Sequence, residues 1–598
     1  WKNIFKMKNN YSDKLSKWLK DEGYTHCFFI AGGNIMHILN SLRKDFVMIP
    51  FVHEVATTMA CEYFNLTAKK KNLSGKAFCL VTAGPGVTNA MTGVAGSHIE
   101  SRELLIIGGQ VKTSDLSRGL RQRGIQEIDG VSLMEPITKK SIRLEEPINE
   151  FSFKSLCRLS SIGRPGSVFI EIPLDVQASN KKISDYKDLK LKIEKNISNL
   201  KRFPEVIKRL KKAKRPVILL GGGVQGNQII DLQKNLSKIG IPVQTTWNGI
   251  DLIDSNFRLY YGRPNTWGQR YANLIIQQAD FIISVGSRLG LQQTGFNWKE
   301  FGKNAFKVMV DIDKDELTKG HPQINIPINS DSTKFLKKLF TSKYSFKDTS
   351  GWINYCNKIK NHFHLSESCN NSKGNFINPY DFSILLSEKT SKNDTIIPCS
   401  SGSANTTVQQ AFIQKSGQVI MNTKGMASMG YGLSGAIGAS LKLPKNNTIL
   451  IEGDGGFIQN MQELGTVQIN KLNLKIFIFF DNGYASIRMT QRNYFGGAYV
   501  GCDEKTGLGM PNWKKLAKTY NMAYMLLSKR NLSKNLDVIL NTKGPFLSII
   551  PIDPEQTYFP KITSRITKDG SMESNPLHEM TPEVTNEERK KYMQFIGD

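Results

Sequence analysis

Ile449-Leu-Ile-Glu-Gly-Asp-Gly-Gly-Phe-Ile-Gln-Asn460 and, after a helical interval, Phe477-Ile-Phe-Phe-Asp-Asn-Gly-Tyr-Ala-Ser-Ile487 carry the reading of the fold. Each segment begins as an apolar run short enough for a buried parallel strand and ends in small polar residues. A carboxylate or an amide stands at each tip. Between them Phe457 to Leu472 has helical spacing, so the unit reads strand, Gly-rich turn, helix, strand, turn. In open α/β sheets ligands bind at such carboxyl ends of strands. Asp454 and Asn482 are hard oxygen donors, and the backbone carbonyl of Tyr484 offers a third. That set suits Mg²⁺ shared with the phosphate oxygens of a ligand. Gly453, Gly455 and Gly456 let the backbone approach a phosphate with helix N–H groups facing it.

The chain has 598 residues, enough for three or four domains with ample core. At 39% apolar and 22% charged residues it has a globular composition. No run approaches the ~20 apolar residues that span a bilayer, so no membrane partner is expected. The start, Trp1-Lys-Asn-Ile-Phe-Lys-Met7, lacks the apolar core of a signal peptide, and Met7 is the expected initiator. Eight cysteines lie far apart with no Cys-x-x-Cys, which points to reduced thiols and a cytoplasmic location rather than to disulfides or zinc. The net charge of +28 comes from scattered lysines such as Lys69-Lys-Lys-Asn72 and those of 208–214. Without aromatic–basic interleaving this reads as a solvated surface, not a nucleic-acid face, with a weaker role in drawing an anionic substrate.

The fold class expected is α/β, with three doubly wound parallel-sheet domains at 7–180, 199–345 and 376–558 and a surface tail or lid at 559–598. In the first domain, helix Tyr11–Glu22, strands Cys27–Ile30, Met48–Val52, Ala77–Val81 and Leu104–Ile107, and helix Ala56–Ala68 alternate. Lys181–Leu200 is a polar linker. The second domain has strands at 217–220, Ile241–Thr245, Phe281–Val285 and Val308–Ile312, followed by a partly helical connection, Ser345–Lys373. No repeat is visible by residue identity, although the first and third domains share a strand–helix rhythm.

Gly453-Asp-Gly455, then 25 residues, then Asp481-Asn482 resembles the thiamine diphosphate signature, whose usual ending is Asn-Asn. Here the first Asn is Asp481, while Asn482 stands at the metal-ligand position. His53-Glu54, Thr82-Ala-Gly-Pro-Gly-Val-Thr-Asn89 and Gly108-Gly-Gln110 resemble the pyrimidine-binding domain of the acetolactate synthase-like family. A lone glutamate at a helix start is ordinarily a macrodipole effect. The resemblance instead gives Glu54 the hydrogen bond to the cofactor's aminopyrimidine ring and a catalytic role. Gly124-Ile-Gln-Glu127 resembles the family's Phe-Gln-Glu and makes Gln126 a second catalytic candidate, with Ile125 in place of an aromatic. Nearby Arg118, Arg121 and Arg123 either hold an anionic group or are solvated loop charges. In 423–438, Met429 before Gly430 matches the apolar wedge that bends the cofactor; as a residue alone it could be core filler. Ser401-Gly-Ser-Ala-Asn405 stands where relatives bind diphosphate, without their Gln-His-Gln. The resemblance thus carries cofactor contacts onto Glu54, Pro85, Asn89, Ser403, Ala404, Asn405, Met426, Met429, Gly453, Asp454, Gly455, Gly456, Asn482, Tyr484, Ala485, Ser486 and Ile487. The metal falls to Asp454, Asn482 and Tyr484. Gly163-Arg-Pro-Gly166 and the residues after it match the end of the first domain, with a packing role. FAD binds the central domain of acetolactate synthases; Gly221-Gly-Gly223 and Gly286-Ser-Arg288 fit that pattern. Gly262-Arg-Pro-Asn replaces the family's Met-His-Gly, and the acidic pair after Arg288 is missing, so FAD stays open.

The resemblance implies thiamine diphosphate- and Mg²⁺-dependent decarboxylation of a 2-oxo acid, with pyruvate expected, and transfer of the two-carbon unit to a second carbonyl compound. It also implies a homodimer or homotetramer with Glu54 of one subunit opposite Asp454 of another. A first alternative is transfer to a nucleotide-activated keto sugar in cell-surface polysaccharide synthesis. A second is a simple decarboxylase or a non-catalytic nucleotide-binding scaffold.

Overall fold

A computed structural model describes residues 10–191, 198–342, 348–398, 401–566 and 570–596. Met7, parts of both connecting segments and the residues at the end of the first strand of the third sheet lie outside them. Among the described residues, three all-parallel sheets stand in sequence. The first comprises β1 (Tyr24–Phe29), β2 (Val47–Pro50), β3 (Lys76–Val81), β4 (Leu104–Gln110), β5 (Lys140–Arg143) and β6 (Ser167–Pro173), in the order β2-β1-β3-β4-β6-β5. The central sheet comprises β7 (Pro216–Leu220), β8 (Val243–Thr245), β9 (Phe281–Val285), β10 (Phe306–Asp311) and β11 (Ile326–Asn329), in the order β11-β10-β9-β7-β8. The third comprises β12 (Thr395–Pro398), β13 (Val419–Ile420), β14 (Thr448–Gly453), β15 (Leu474–Phe480), β16 (Ala523–Leu526) and β17 (Phe546–Pro551), in the order β13-β12-β14-β15-β17-β16. Renumbered within each sheet, the first and third orders are the same, 2-1-3-4-6-5.

The apolar runs are central strands buried on both faces: Ile449, Leu450 and Ile451 on β14 and Ile476 to Phe479 on β15 have no exposed surface. Their register pairs Gly453 with Phe479, which brings both strands to their turns at one level. Such burial of continuous apolar segments requires helices on both sides of the sheet.

The first and third domains join through the helices Glu54–Lys71 and Tyr431–Lys442. Glycine makes this approach possible. A Cβ on Gly438 would stand 1.9 Å from the carbonyl oxygen of Ala60, and one on Gly435 would stand 2.7 Å from the Tyr63 ring. Across the same contact Arg102 reaches Glu62 and the carbonyl of Asn422, and the Tyr431 hydroxyl donates to Glu62.

One sequence expectation needs correction. Residues 457–472 do not form one helix. A helical turn begins at Asp454, a 3₁₀ segment covers Ile458–Glu463, and the α-helix resumes at Leu464–Ile469. Asn460 breaks the run with φ −131° and ψ 23°, because its amide donates to the carbonyl of Gly430 at 2.9 Å. The described part of 559–598, the expected surface tail or lid, packs on the central domain. It forms two short antiparallel ladders, β18 (Lys561–Ile562) with β21 (Met580–Thr581) and β19 (Ser564–Ile566) with β20 (Met572–Ser574), then a helix, Asn586–Tyr592. Leu577, Tyr592 and Met593 are buried in the core of the central domain. Asn273 and Gln278 donate to the carbonyls of Leu577 and Tyr592, at 3.0 and 2.9 Å. A few well-placed apolar residues do what a periodic pattern would have announced.

Candidate active site

The tips of β14 and β15 meet. Asp454, fully buried, accepts from the N–H of Gly455 at 2.7 Å and from the N–H of Gly483 at 3.0 Å. Burial, and then the neighbouring Asp481 charge, push its carboxyl well above the usual range. A buried carboxylate held by N–H groups alone gains from a cation. Asn482 takes the left-handed conformation (φ 66°), and its side-chain amide has no hydrogen bond among the described residues. The Tyr484 ring lies over Gly455, where a Cβ would come within 2.4 Å of it. The Tyr484 carbonyl accepts from the N–H groups of Ile487 and Arg488, both at 2.9 Å. Of the three expected metal ligands, Asp454 and the Tyr484 carbonyl are thus already engaged by N–H groups, and the Asn482 side chain is not.

Two ten-residue helices begin beside this pair, Gly402–Ala411 and Ala485–Tyr494. From the position of a Cβ on Gly402 (φ 75°) the nearest atom is Ser486 Oγ, at 3.8 Å. The starts of both helices thus face one space, and first-turn N–H groups of helices favour an anion. Ser403 and Ala404 lie in the first turn of one helix, and Ala485, Ser486 and the exposed Ile487 in the first turn of the other. Both amide atoms of Asn405 are buried without a partner among the described residues. Met426 and Met429 are half-buried and stand outside the hydrophobic core clusters of the described residues. Asp454 and Asn482 fit a divalent cation, and the paired helix starts fit the diphosphate it would bridge.

In the first domain Glu54 opens its helix at the end of β2 and is 7% exposed. Asn89, on the helix that starts at Pro85, donates its amide to Glu54 Oε2 at 3.0 Å. Gly84 (φ 64°) lies against Gln126: a Cβ there would stand 2.6 Å from the Gln126 carbonyl. Gln126 (φ 63°) is exposed on a loop gathered by Glu127. Burial pushes the Glu127 carboxyl up, but the N–H groups of Gly124, Ser117 and Arg123 outweigh it and hold the group at about 2. The structure thus joins Glu54 to Asn89 and Gln126 to the Pro85 turn. Arg118 is taken by Glu145, at 2.7 and 3.0 Å, while Arg121 and Arg123 are exposed.

Sequence reasoning missed Glu463. It accepts from the N–H groups of Val52 (3.1 Å) and His53 (2.9 Å) and from the Thr466 hydroxyl (2.6 Å). A third-domain carboxylate therefore fixes the strand end that presents Glu54. A polar residue near a helix start gave no signal of this.

The central sheet has its own crevice of about 900 Å³ at the carboxyl ends of its strands. Gly222, Gly286, Arg288, Asp311 and Asp331 line it. The Gly223 N–H donates to the Gly286 carbonyl at 2.9 Å, closing the turns where β7 meets β9, the point at which strand order reverses. Arg164, expected to serve packing alone, also lines it, bonded to Asp313 at 2.6 Å. Arg263 is turned away: it is 1% exposed and donates to the carbonyls of Gln409 (2.6 Å) and Phe412 (3.0 Å) and to Gln414 Oε1 (2.8 Å).

Three family models match in the order of these sheets. The thiamine pyrophosphate enzyme N-terminal TPP binding domain covers residues 9–133, the central domain 204–339 and the C-terminal TPP binding domain 400–550. The chain belongs to the thiamine pyrophosphate enzymes. Within them it is similar to acetolactate synthase large subunits. It is 29% identical to a probable one of Methanocaldococcus jannaschii, over 91% of this chain and 92% of the relative. A probable one of Methanococcus aeolicus is 28% identical over the same shares, and that of Lactococcus lactis is 28% identical over 93% and 95%. The chain is an acetolactate synthase-like enzyme of that family.

Proposed function

We propose that the protein decarboxylates a 2-oxo acid, pyruvate first among them, and joins the two-carbon unit to a second carbonyl compound. One observation carries this. A buried carboxylate (Asp454) and an amide without a partner among the described residues (Asn482) stand at adjacent strand tips between two helix starts. Asp454 and Asn482 would hold Mg²⁺, and the Tyr484 carbonyl would join by sharing its helical bonds. The N–H groups at the two helix starts, with Ser403 and Ser486, would take the diphosphate. Thiamine diphosphate, when bound, supplies the electron sink for decarboxylation. Glu54 would meet the far ring as a hydrogen-bonding acid, held in place by Asn89 and by the strand end that Glu463 clamps. Gln126, on its Glu127-gathered loop, is placed to contact the reacting carbonyl.

Both halves of the site carry uncovered apolar side chains. Val52 and Ile125 are 56% and 87% exposed in the first domain, and Ile487 and Phe495 are 47% and 66% exposed in the third. Such patches are usual at interfaces, which supports a dimer with Glu54 and Asp454 contributed by opposite subunits. The central crevice is proposed as the FAD site, with Asp311 or Asp331 on a ribose and the Gly222 turn on the pyrophosphate; the visible absorbance of purified protein tests it. Among the described residues no helix is long and apolar enough to cross a membrane. The seven described cysteines form no disulfide, which suits a reducing cytoplasm.

The test supplies purified protein with Mg²⁺, thiamine diphosphate and pyruvate. Release of CO₂ with acetolactate is expected. CO₂ without acetolactate, with a new product when a nucleotide-linked keto sugar is added, would move the acceptor to that class. No CO₂ from any 2-oxo acid would overturn the reading. Light scattering should give at least a dimer.

A further inference from the structure

Asp481, which departs from the Asn-Asn ending of the thiamine signature, is explained by Arg488, seven residues later in the first turn of the helix Ala485–Tyr494. The two form a buried ion pair at 2.9 Å, with Asp481 3% and Arg488 6% exposed. The guanidinium does more than neutralise the acid. It donates to the carbonyl of Asn482 at 3.0 Å and to the carbonyl of Asp481 at 2.6 Å. The Gly483 N–H belongs to the same peptide unit as the Asn482 carbonyl, and it donates to Asp454 Oδ2 at 3.0 Å. One peptide plane is thus gripped from both ends, by Arg488 on its oxygen and by Asp454 on its hydrogen. A further contact limits the turn: the Tyr484 N–H donates to the Cys502 carbonyl at 2.8 Å, and a Cβ on Gly483 would stand 2.1 Å from that oxygen.

A buried ion pair of this kind is weak evidence for stability, because desolvation offsets most of the attraction. Groups that orient metal ligands, in contrast, commonly change metal affinity without touching the metal. We propose that Arg488 is a positioning residue for the metal-binding turn, holding the Asn482–Gly483 peptide so that Asn482 and Asp454 present their oxygens together. Asp481 completes the clamp by orienting the guanidinium and offsetting its charge. This inference rests on the thiamine diphosphate and Mg²⁺ reading of the site.

The test is a Mg²⁺ titration at saturating thiamine diphosphate, followed by tryptophan fluorescence, with Mn²⁺ binding by electron paramagnetic resonance as a second readout. Arg488→Met should raise the apparent Mg²⁺ dissociation constant ~10- to 100-fold. The double variant Asp481→Asn/Arg488→Met should do the same, since it removes the clamp without stranding a carboxylate. Asp481→Asn alone leaves an oxygen for the guanidinium to bond and should stay within ~3-fold of the parent, well short of such losses. Urea midpoints check that the variants fold; if Arg488→Met does not fold, Arg488→Lys, which keeps the charge but not the fork, should show the same direction. A double variant that binds Mg²⁺ like the parent overturns the proposal, as does Asp481→Asn losing as much as Arg488→Met. If the parent itself takes up neither metal nor cofactor, the failure lies in the underlying reading instead.

Discussion

The first and third domains share one strand order, yet their strand tips carry different chemistry. On the second strand the first domain ends in Glu54, whereas the third passes through Met429 to a glycine-started helix. On the third strand the contrast is the Pro85 turn against Asp454, and on the fourth the Gln126 loop against Asn482. One sheet presents groups suited to a ring and a carbonyl, the other groups suited to a metal and phosphates. The scaffold is held constant and the division of labour is written in loops a few residues long.

That division can be tested from its largest consequence downward. Glu54→Gln should leave cofactor binding within reach of the parent while turnover falls by ~10²- to 10⁴-fold, the usual share of an acid–base group. Single-turnover CO₂ release measures it, and equal losses of binding and turnover would erase the distinction between the domains. Glu463→Gln weakens the third domain's hold on the first. Its N–H donors lose a charged acceptor, so urea unfolding should show a loss of ~1–3 kcal/mol, and an unchanged midpoint would mean that the domains join through the helix pair alone.

The pH dependence follows from Asp454, whose carboxyl burial and the Asp481 charge hold well above the ordinary range. A group with a raised pKa keeps its proton to higher pH, and Mg²⁺ must displace that proton. Apparent Mg²⁺ affinity should therefore climb with pH, by up to about tenfold per unit while the group is protonated. Calorimetric titrations at several pH values check this, and a flat profile would contradict it. The smallest effect is expected at Glu127. Its folded pKa of about 2 lies below the ordinary value of 4.5, so its contribution to stability is present above 4.5 and is lost as pH falls toward 2. Glu127→Gln should cost ~1–2 kcal/mol near neutral pH and flatten the acid limb of a thermal-melt series.

Much of this was legible in the chain. β9 spans Phe281–Val285 as the apolar run predicts, and the Gly-Asp-Gly and Asp-Asn turns stand at the strand ends where their spacing places them. Strand alternation is a local property, so it can be read locally. What escaped were polar contacts that follow no periodic pattern. Glu463 reaching Val52 and His53, Arg263 crossing to Gln409 and Arg488 folding back on its own turn leave no periodic trace. The break at Asn460 escaped for the same reason, since the Gly430 carbonyl that competes for its amide is thirty residues away. In the C-terminal segment four buried apolar residues, Leu577, Met580, Tyr592 and Met593, are too widely spaced to register as an amphipathic pattern.

The most direct measurement is calorimetric titration of the folded protein with thiamine diphosphate in the presence of Mg²⁺, repeated on Asp454→Ala and after removal of the metal by chelation. The account predicts saturable binding to the parent that is lost in both other cases, with Asp454→Ala still folded. Binding that survives the loss of Asp454, or a parent that binds nothing, would contradict it.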